Sequence, residues 1–232
     1  MSSLQFPKRA QWHIASVPKH KQNDWADYLR GTTLALSRQR NLNIGLCGVI
    51  EGSLPIGGLS SSAAVIISFL KALCKVNNIK LDPQELIDIA FDAESDYVGV
   101  SVGKLDQSCE VLSKKNHLLF LDTKNNQYEL IPEKPEMKPY KIAIFFYGLE
   151  HNLAGSKYNM RVDELRSGVY ALQAFAGMDY GKFYEANARY VPRELYEQYK
   201  TRLPEPWARR CEHWLQNSNV LKKVQKPGEK AT

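Results

Sequence analysis

The run Gly57-Gly58-Leu59-Ser60-Ser61-Ser62-Ala63 places two glycines and three hydroxyls at the mouth of an apolar segment. Glycine pairs weaken strands and serine triplets weaken helix interiors, so secondary structure alone does not account for this choice. Backbone N–H groups at a helix N-terminus, backed by the helix dipole, hold anions. The glycines let backbone come close to a ligand, and the serines add donors without bulk. Ala63 permits tight packing of the helix beneath. The chemistry this suits is phosphate binding. It is not the Walker A loop, because no Gly-Lys-Ser/Thr follows the glycines. A serine-capped buried helix after a glycine turn is the plain structural alternative.

A second run, AESDYVGVSVGKLDQS at 93–108, carries two carboxylates of interest. Asp106 follows Gly103 in what reads as a short turn, and Glu94 lies earlier, on a helix. Phosphoryl transfer needs a group that orients or deprotonates the attacking hydroxyl, and oxygen ligands for Mg²⁺. Two carboxylates and a loop serine would supply that set. Taken alone, the spacing favours an Asp capping the next element and a solvated helical Glu.

The elements that would position these residues follow from the pattern. NDWADYLRGTTLALSRQ (23–39) reads as an amphipathic helix, with Trp25, Tyr28, Leu29 and Leu36 on a shared face. NLNIGLCGVIEG (41–52) follows as a strand with Leu42, Ile44 and Leu46 alternating. AAVIISFLKALCKV (63–76) is apolar nearly all round, the mark of a buried helix. The next helix opens with Asp82 as N-cap, Pro83 at the first position and Glu85 at the third, a capping-box arrangement. Strands are predicted over 117–122, 127–132 and 140–148, with Asn125 and Asn126 turning the first pair. From YNMRVDELRSGVYALQAFA (158–176) onward the pattern is helical, ending in EPWARRCEHWLQNSNVL (205–221). Strands and helices without βαβ alternation, then a helical second half, favour an α+β class.

Charge narrows the partners. The formal net charge is +6, yet residues 1–23 hold Lys8, Arg9, Lys19 and Lys21 with no acid, and residues 221–232 hold four lysines against Glu229. The body between is near neutral, so a nucleic-acid groove is not what the composition describes. The longest apolar run is broken by Ser68 and Lys71 and is too short to span a bilayer. Four dispersed cysteines without a Cys-x-x-Cys pair fit reduced thiols in a cytoplasmic protein. The five histidines lack zinc-site spacing. His151 and His213 read as surface or helix-face residues, and Arg161 and Arg166 as partners of Asp163 and Glu164. Trp25, Tyr28 and Trp214 read as core anchors. The organisation expected is a basic segment over 1–22, one domain over 23–220 and a disordered basic tail over 221–232.

In order and spacing the two runs resemble motifs of the GHMP sugar kinases, on the galactokinase and galacturonate kinase branch. GGLSSSAA is similar to that family's ATP phosphate loop, and GKLDQ to its Gly-x-x-Asp-Gln segment. GLEHNLAGSKYNMRVDEL (148–165), DWADYLRG (24–31) and RRCEHW (209–214) also fall where galactokinases carry similar stretches. The resemblance runs over about residues 24–223. It implies a ribosomal protein S5 domain 2-like fold, a mixed sheet with packed helices. It implies that Gly57, Gly58, Leu59, Ser60, Ser61, Ser62 and Ala63 line the ATP phosphates, and that Ser62 and Glu94 hold Mg²⁺. Asp106 is then the catalytic base, and Gly103, Asp106 and Tyr158 border the sugar. The implied activity is ATP-dependent phosphorylation of the anomeric hydroxyl of galactose or a near relative such as galacturonate. Neither the family's Gly-Glu-His-x-Asp-Tyr segment nor its Gly-rich third motif occurs in these residues. A truncated kinase with weak activity, or a non-catalytic sugar- and nucleotide-binding relative, is the corresponding expectation. Lys104 stands beside Asp106 where the family carries an apolar or small residue, and would weaken the base if it pointed there.

Overall fold

The structure is a computed structural model that describes residues 1–52, 59–136, 138, 140–145 and 157–225, the last seven by backbone alone. The chain forms two compact units, Met1–Ser156 and Lys157–Thr232.

In the first unit, helices α1 (Asp27–Ser37), α2 (Ser61–Val76), α3 (Pro83–Asp92) and α4 (Leu105–Leu112) surround one apolar core. Leu29 and Leu36 of α1, Ile66, Leu70 and Leu73 of α2, and Ile89 of α3 are its largest fully buried members. The expected cap of α3 forms: the Asp82 carboxylate accepts the Glu85 N–H at 2.8 Å, and the Glu85 carboxylate accepts the Asp82 N–H at 2.9 Å. α3 runs on into a π-helical turn, Ala93–Val98, which packs against α1. Gly31 makes that approach possible. A Cβ there would stand 2.6 Å from the Ala93 carbonyl oxygen and 3.0 Å from Tyr97 Cβ.

The sheet content among the described residues is two separate pairs. β1 (Ser2–Ser3) pairs in parallel with β2 (Val49–Ile50), and β3 (His117–Asp122) pairs antiparallel with β4 (Gln127–Pro132). The β3–β4 hairpin has the predicted boundaries. Its loop uses Asn126 at φ 56°, and the Asn125 side chain accepts the Gln127 N–H.

Two strand expectations need correction. Of 41–52 only Val49–Ile50 is a strand, because the Asn77 side chain takes the backbone groups upstream. It accepts the N–H of Asn43 and Ile44, each at 2.8 Å, and donates to the Ile44 carbonyl at 2.9 Å. Residues 140–145 lie in no strand, and Ile142 and Phe145 stand exposed. The rest of that prediction, 146–148, lies outside the described residues.

The basic first segment is docked rather than appended. Trp12 Nε1–H donates to Thr33 Oγ1 at 3.2 Å, Lys21 Nζ to the Val98 carbonyl at 3.0 Å, and Tyr97 O–H to the His20 carbonyl at 3.1 Å. Asp27 gathers the N–H groups of Gln22, Asn23 and Asp24 and the Arg30 guanidinium, which also pairs with Asp24 at 2.6 Å.

The second unit packs α5 (Tyr158–Phe175), α6 (Arg193–Tyr199) and α7 (Glu205–Gln225) around Val169, Leu172, Tyr196, Cys211 and Leu215. α7 continues to Gln225, into the segment read from sequence as a tail. Arg161 and Arg166 pair with Glu164 and Asp163 on their own helix, as their spacing suggested.

Candidate active site

The loop serines sit at the start of α2. Ser60 precedes the helix at φ 54°, a left-handed conformation costing a non-glycine residue about 1–2 kcal/mol. Strain of this kind collects at functional sites. The Ser60 side chain makes no cap here, so among the described residues no side chain caps the first N–H groups of α2. Ser61 is exposed, Ser62 half-buried and Ala63 fully buried, with Leu59 exposed just outside. The run therefore presents hydroxyls outward over a packed alanine. Gly57 and Gly58 lie outside the described residues.

Glu94 is the second residue of the π-helical turn and only 2 % exposed. The turn's wide hydrogen bonds, from the N–H of Gly99 and Val100 to the Glu94 carbonyl, end the α3 segment there. Single π turns inside helices are frequent at functional sites. A buried carboxylate must be paired or hydrogen-bonded, and Glu94 accepts from Gln107 Nε2–H at 2.8 Å, with the Ser62 hydroxyl near enough to favour its ionised form. Burial pushes its carboxyl above the ordinary range, the Ser62 hydroxyl pulls it back, the Asp106 charge raises it and the Gln107 amide lowers it.

Asp106 is half-buried in the first turn of α4. This corrects the expectation of a turn residue: α4 begins at Leu105, so helix geometry orients the side chain. Its neighbour Lys104 turns elsewhere. Lys104 Nζ sits 2.6 Å from Asp88 Oδ1 and 5.3 Å from the Phe91 ring centre, so the ammonium is engaged on α3. Gly103 is exposed, and a Cβ there would meet nothing within 4 Å. Tyr158 is the first residue of α5, 38 % exposed, in the second unit.

Three elements thus converge on one carboxylate: α2 through Ser62, the π turn through Glu94 itself and α4 through Gln107. Among the expected residues, Ser62, Glu94 and Asp106 form a local group within the first unit. Gln107 is the member that sequence reasoning passed over, although its place directly after Asp106 was the available signal. A hydroxyl and a carboxylate at a helix N-terminus suit Mg²⁺, which takes one or two protein oxygens and completes its shell with water and phosphate. Ser62 and Glu94 would hold it. Among the described residues, no cluster of three histidine, cysteine or acidic side chains offers another metal site. No helix among them is long and apolar enough to cross a membrane.

Comparison with known proteins gives the family and the fold. Residues 27–114 match the GHMP kinases N terminal domain. A galacturonokinase from Arabidopsis thaliana is 35% identical over 211 residues, covering 88% of this chain and 49% of that protein. A galactokinase from Pyrococcus furiosus is 39% identical over 142 residues, covering 61% of this chain and 40% of that protein. The crystal structure of Lactococcus lactis galactokinase complexed with galactose is similar with a TM-score of 0.74 at 25% identity, over 90% of this chain and 52% of that one. The fold is the α+β fold of the GHMP kinases, and the chain belongs to that family. Within it the chain is galactokinase-like, and it spans about half the length of these relatives.

Proposed function

We propose that this chain carries the phosphate and base half of an ATP-dependent sugar kinase, phosphorylating the anomeric hydroxyl of galactose or a near relative such as galacturonate. The observation that carries the reading is the buried Glu94 carboxylate, with the Ser62 hydroxyl at the start of α2 and the Asp106 charge both close enough to act on it.

In this reading the N–H groups and hydroxyls of Ser60, Ser61 and Ser62, with Gly57, Gly58 and Leu59, hold the ATP phosphates. Ser62 and Glu94 hold Mg²⁺, which when bound neutralises charge on the phosphate oxygens. Asp106 accepts the proton of the sugar hydroxyl as its oxygen bonds to the γ-phosphorus and the bond to the ADP oxygen breaks. Gly103 and Asp106 border the sugar. Positioning and charge neutralisation supply most of the rate in such transfers. Reduced cysteines suit a cytoplasmic setting, and all four are free.

The test is sugar-dependent ADP release, measured with galactose, with galacturonate and with neither, for the chain and for Asp106→Asn. Asn keeps the volume but cannot accept the proton, so any sugar-dependent rate should fall about 10²-fold or more. A rate that survives the substitution removes Asp106 from the mechanism. Sugar and nucleotide binding without ADP release would turn the reading towards a non-catalytic relative.

A further inference from the structure

Gln107 is 0% exposed and is used by no step above. Its Nε2–H lies 2.8 Å from Glu94 Oε2, and its own Oε1 finds no partner among the described residues. A buried amide with an orphaned oxygen calls for a reason, because nearly all such atoms are satisfied. The amide's orientation is dictated by Glu94: an ionised carboxylate only accepts, so the nitrogen must face it. A cross-link serving stability alone would be met as well by a pair that leaves nothing unsatisfied.

We infer that Gln107 is a positioning residue that fixes the rotation of the Glu94 carboxylate, holding Oε2 so that the group faces Ser62 and a bound divalent cation in one orientation. This rests on the metal role given to Ser62 and Glu94 in the preceding section. The terminal torsion of a glutamate is broad, so a carboxylate held from one side alone turns easily. Here Gln107 of α4 fixes Oε2, and the Ser62 hydroxyl of α2 acts on the same carboxylate. Because Gln107 follows Asp106 on the same helix, the bond also ties the metal carboxylate to the element that carries the base. Partners of this kind, which orient a ligand without touching the metal, typically contribute 10–100-fold to metal affinity.

The test uses the 232-residue chain with ATP and Mg²⁺, following ATP binding by calorimetry as Mg²⁺ is raised, beside a thermal melt. Gln107→Met keeps the volume and removes the donor. It should raise the Mg²⁺ concentration for half-maximal enhancement by roughly 10–100-fold, leaving metal-free ATP affinity unchanged. Gln107→Asn keeps the amide but is one methylene short of Glu94; it should behave alike, and it decides the matter if the Met variant does not fold. In a Glu94→Gln background, Gln107→Met should add nothing further to the Mg²⁺ requirement, since it acts through Glu94. An additive loss there would mark a merely structural role and overturn the inference. So would an unchanged Mg²⁺ requirement in a wild-type-like fold. Should the unsubstituted chain bind ATP equally with and without Mg²⁺, the metal assignment itself falls and takes this inference with it.

Discussion

Both units bring two helical segments together over a glycine, yet they bury very different chemistry. Among the described residues the first unit buries Asp27, Arg30, Thr32, Thr33, Glu94, Gln107 and Ser108, whereas the second buries Gln173 as its polar member. Buried polar groups gain little net stability even when satisfied, and they tolerate little error. A unit that holds many is shaped by position as well as by packing. The first unit holds two such networks: Glu94 with Gln107 and the nearby Ser62, and Asp27 with Arg30 and Asp24. The second unit reads as a scaffold of apolar helix contacts.

The difference is broken most directly at Arg30. Its side chain is 6% exposed and that of Asp27 is 4% exposed, and they meet at 2.8 Å. Arg30→Met leaves Asp27 a buried charge without its cation, which typically costs about 3–5 kcal/mol. A urea melt should show that loss. Substitutions of exposed charges on α7, such as Arg209→Met, should stay within about 1 kcal/mol. Equal effects would mean that the buried ion pair is not what distinguishes the first unit.

The two glycines sharpen the comparison. A Cβ at Gly31 meets a backbone oxygen at 2.6 Å, while a Cβ at Gly168 meets Cys211 Sγ at 2.6 Å. Overpacking of this kind costs about 1–3 kcal/mol. Backbone cannot be trimmed, but a side chain can. Gly168→Ala should therefore recover part of its loss when combined with Cys211→Ala, although the Trp207 carbonyl remains 3.2 Å away. No side-chain truncation should rescue Gly31→Ala, and because α1 abuts the π turn there, its loss should also weaken Mg²⁺-dependent ATP binding. The thermal midpoints of the single and double variants check the first statement, and calorimetry the second.

How legible this was depended on range. The Asp82–Glu85 cap and the β3–β4 hairpin were readable because their causes lie within a few residues. Ser62, Glu94 and Asp106 were named through the family resemblance of their two runs, though Asp106 was expected in a turn rather than within α4. The Gln107–Glu94 bond and the Gly31 crossing were not readable, since each depends on how helices separated in sequence meet. Likewise, Asn77 replaces a strand ladder upstream of Val49 through contacts spanning more than thirty residues. Nor did charge counting reveal that residues 1–22 dock through Trp12, His20 and Lys21.

A smaller effect lies at the margin of the first network. Hydrogen bonding to Arg30 holds the Asp24 carboxyl below its ordinary value of 3.8, against the opposing pull of burial. With its folded pKa depressed, Asp24 contributes stability that is fully present above the unfolded value and is lost as pH falls through the folded one. Asp24→Asn should therefore flatten the acid limb of the stability curve below pH 3.8 and lower the plateau above it. The Asp24 side chain is 36% exposed, so solvent screens much of this. A thermal-midpoint series between pH 2 and 6, at about one-unit steps, reads the slope. An unchanged slope would separate Asp24 from the buried network.

The smallest effect should come from Lys104, the residue that looked most disruptive in sequence. If its ammonium addressed Asp106, removing it would raise the carboxyl's basicity and change the reaction. The ammonium instead meets Asp88 at 2.6 Å and lies over Phe91, both on the neighbouring helix. That pair is partly exposed, 29% on Lys104 and 41% on Asp88, so its worth is at most about 1 kcal/mol. Lys104→Ile keeps an apolar contact with Phe91 while discarding the charge. It should therefore cost less than Arg30→Met by several-fold in a urea melt, and it should leave the pH dependence of any sugar-dependent ADP release where it was. A displaced pH profile would mean that Lys104 reaches Asp106 during turnover, and that the rim of the first unit is tuned as closely as its interior.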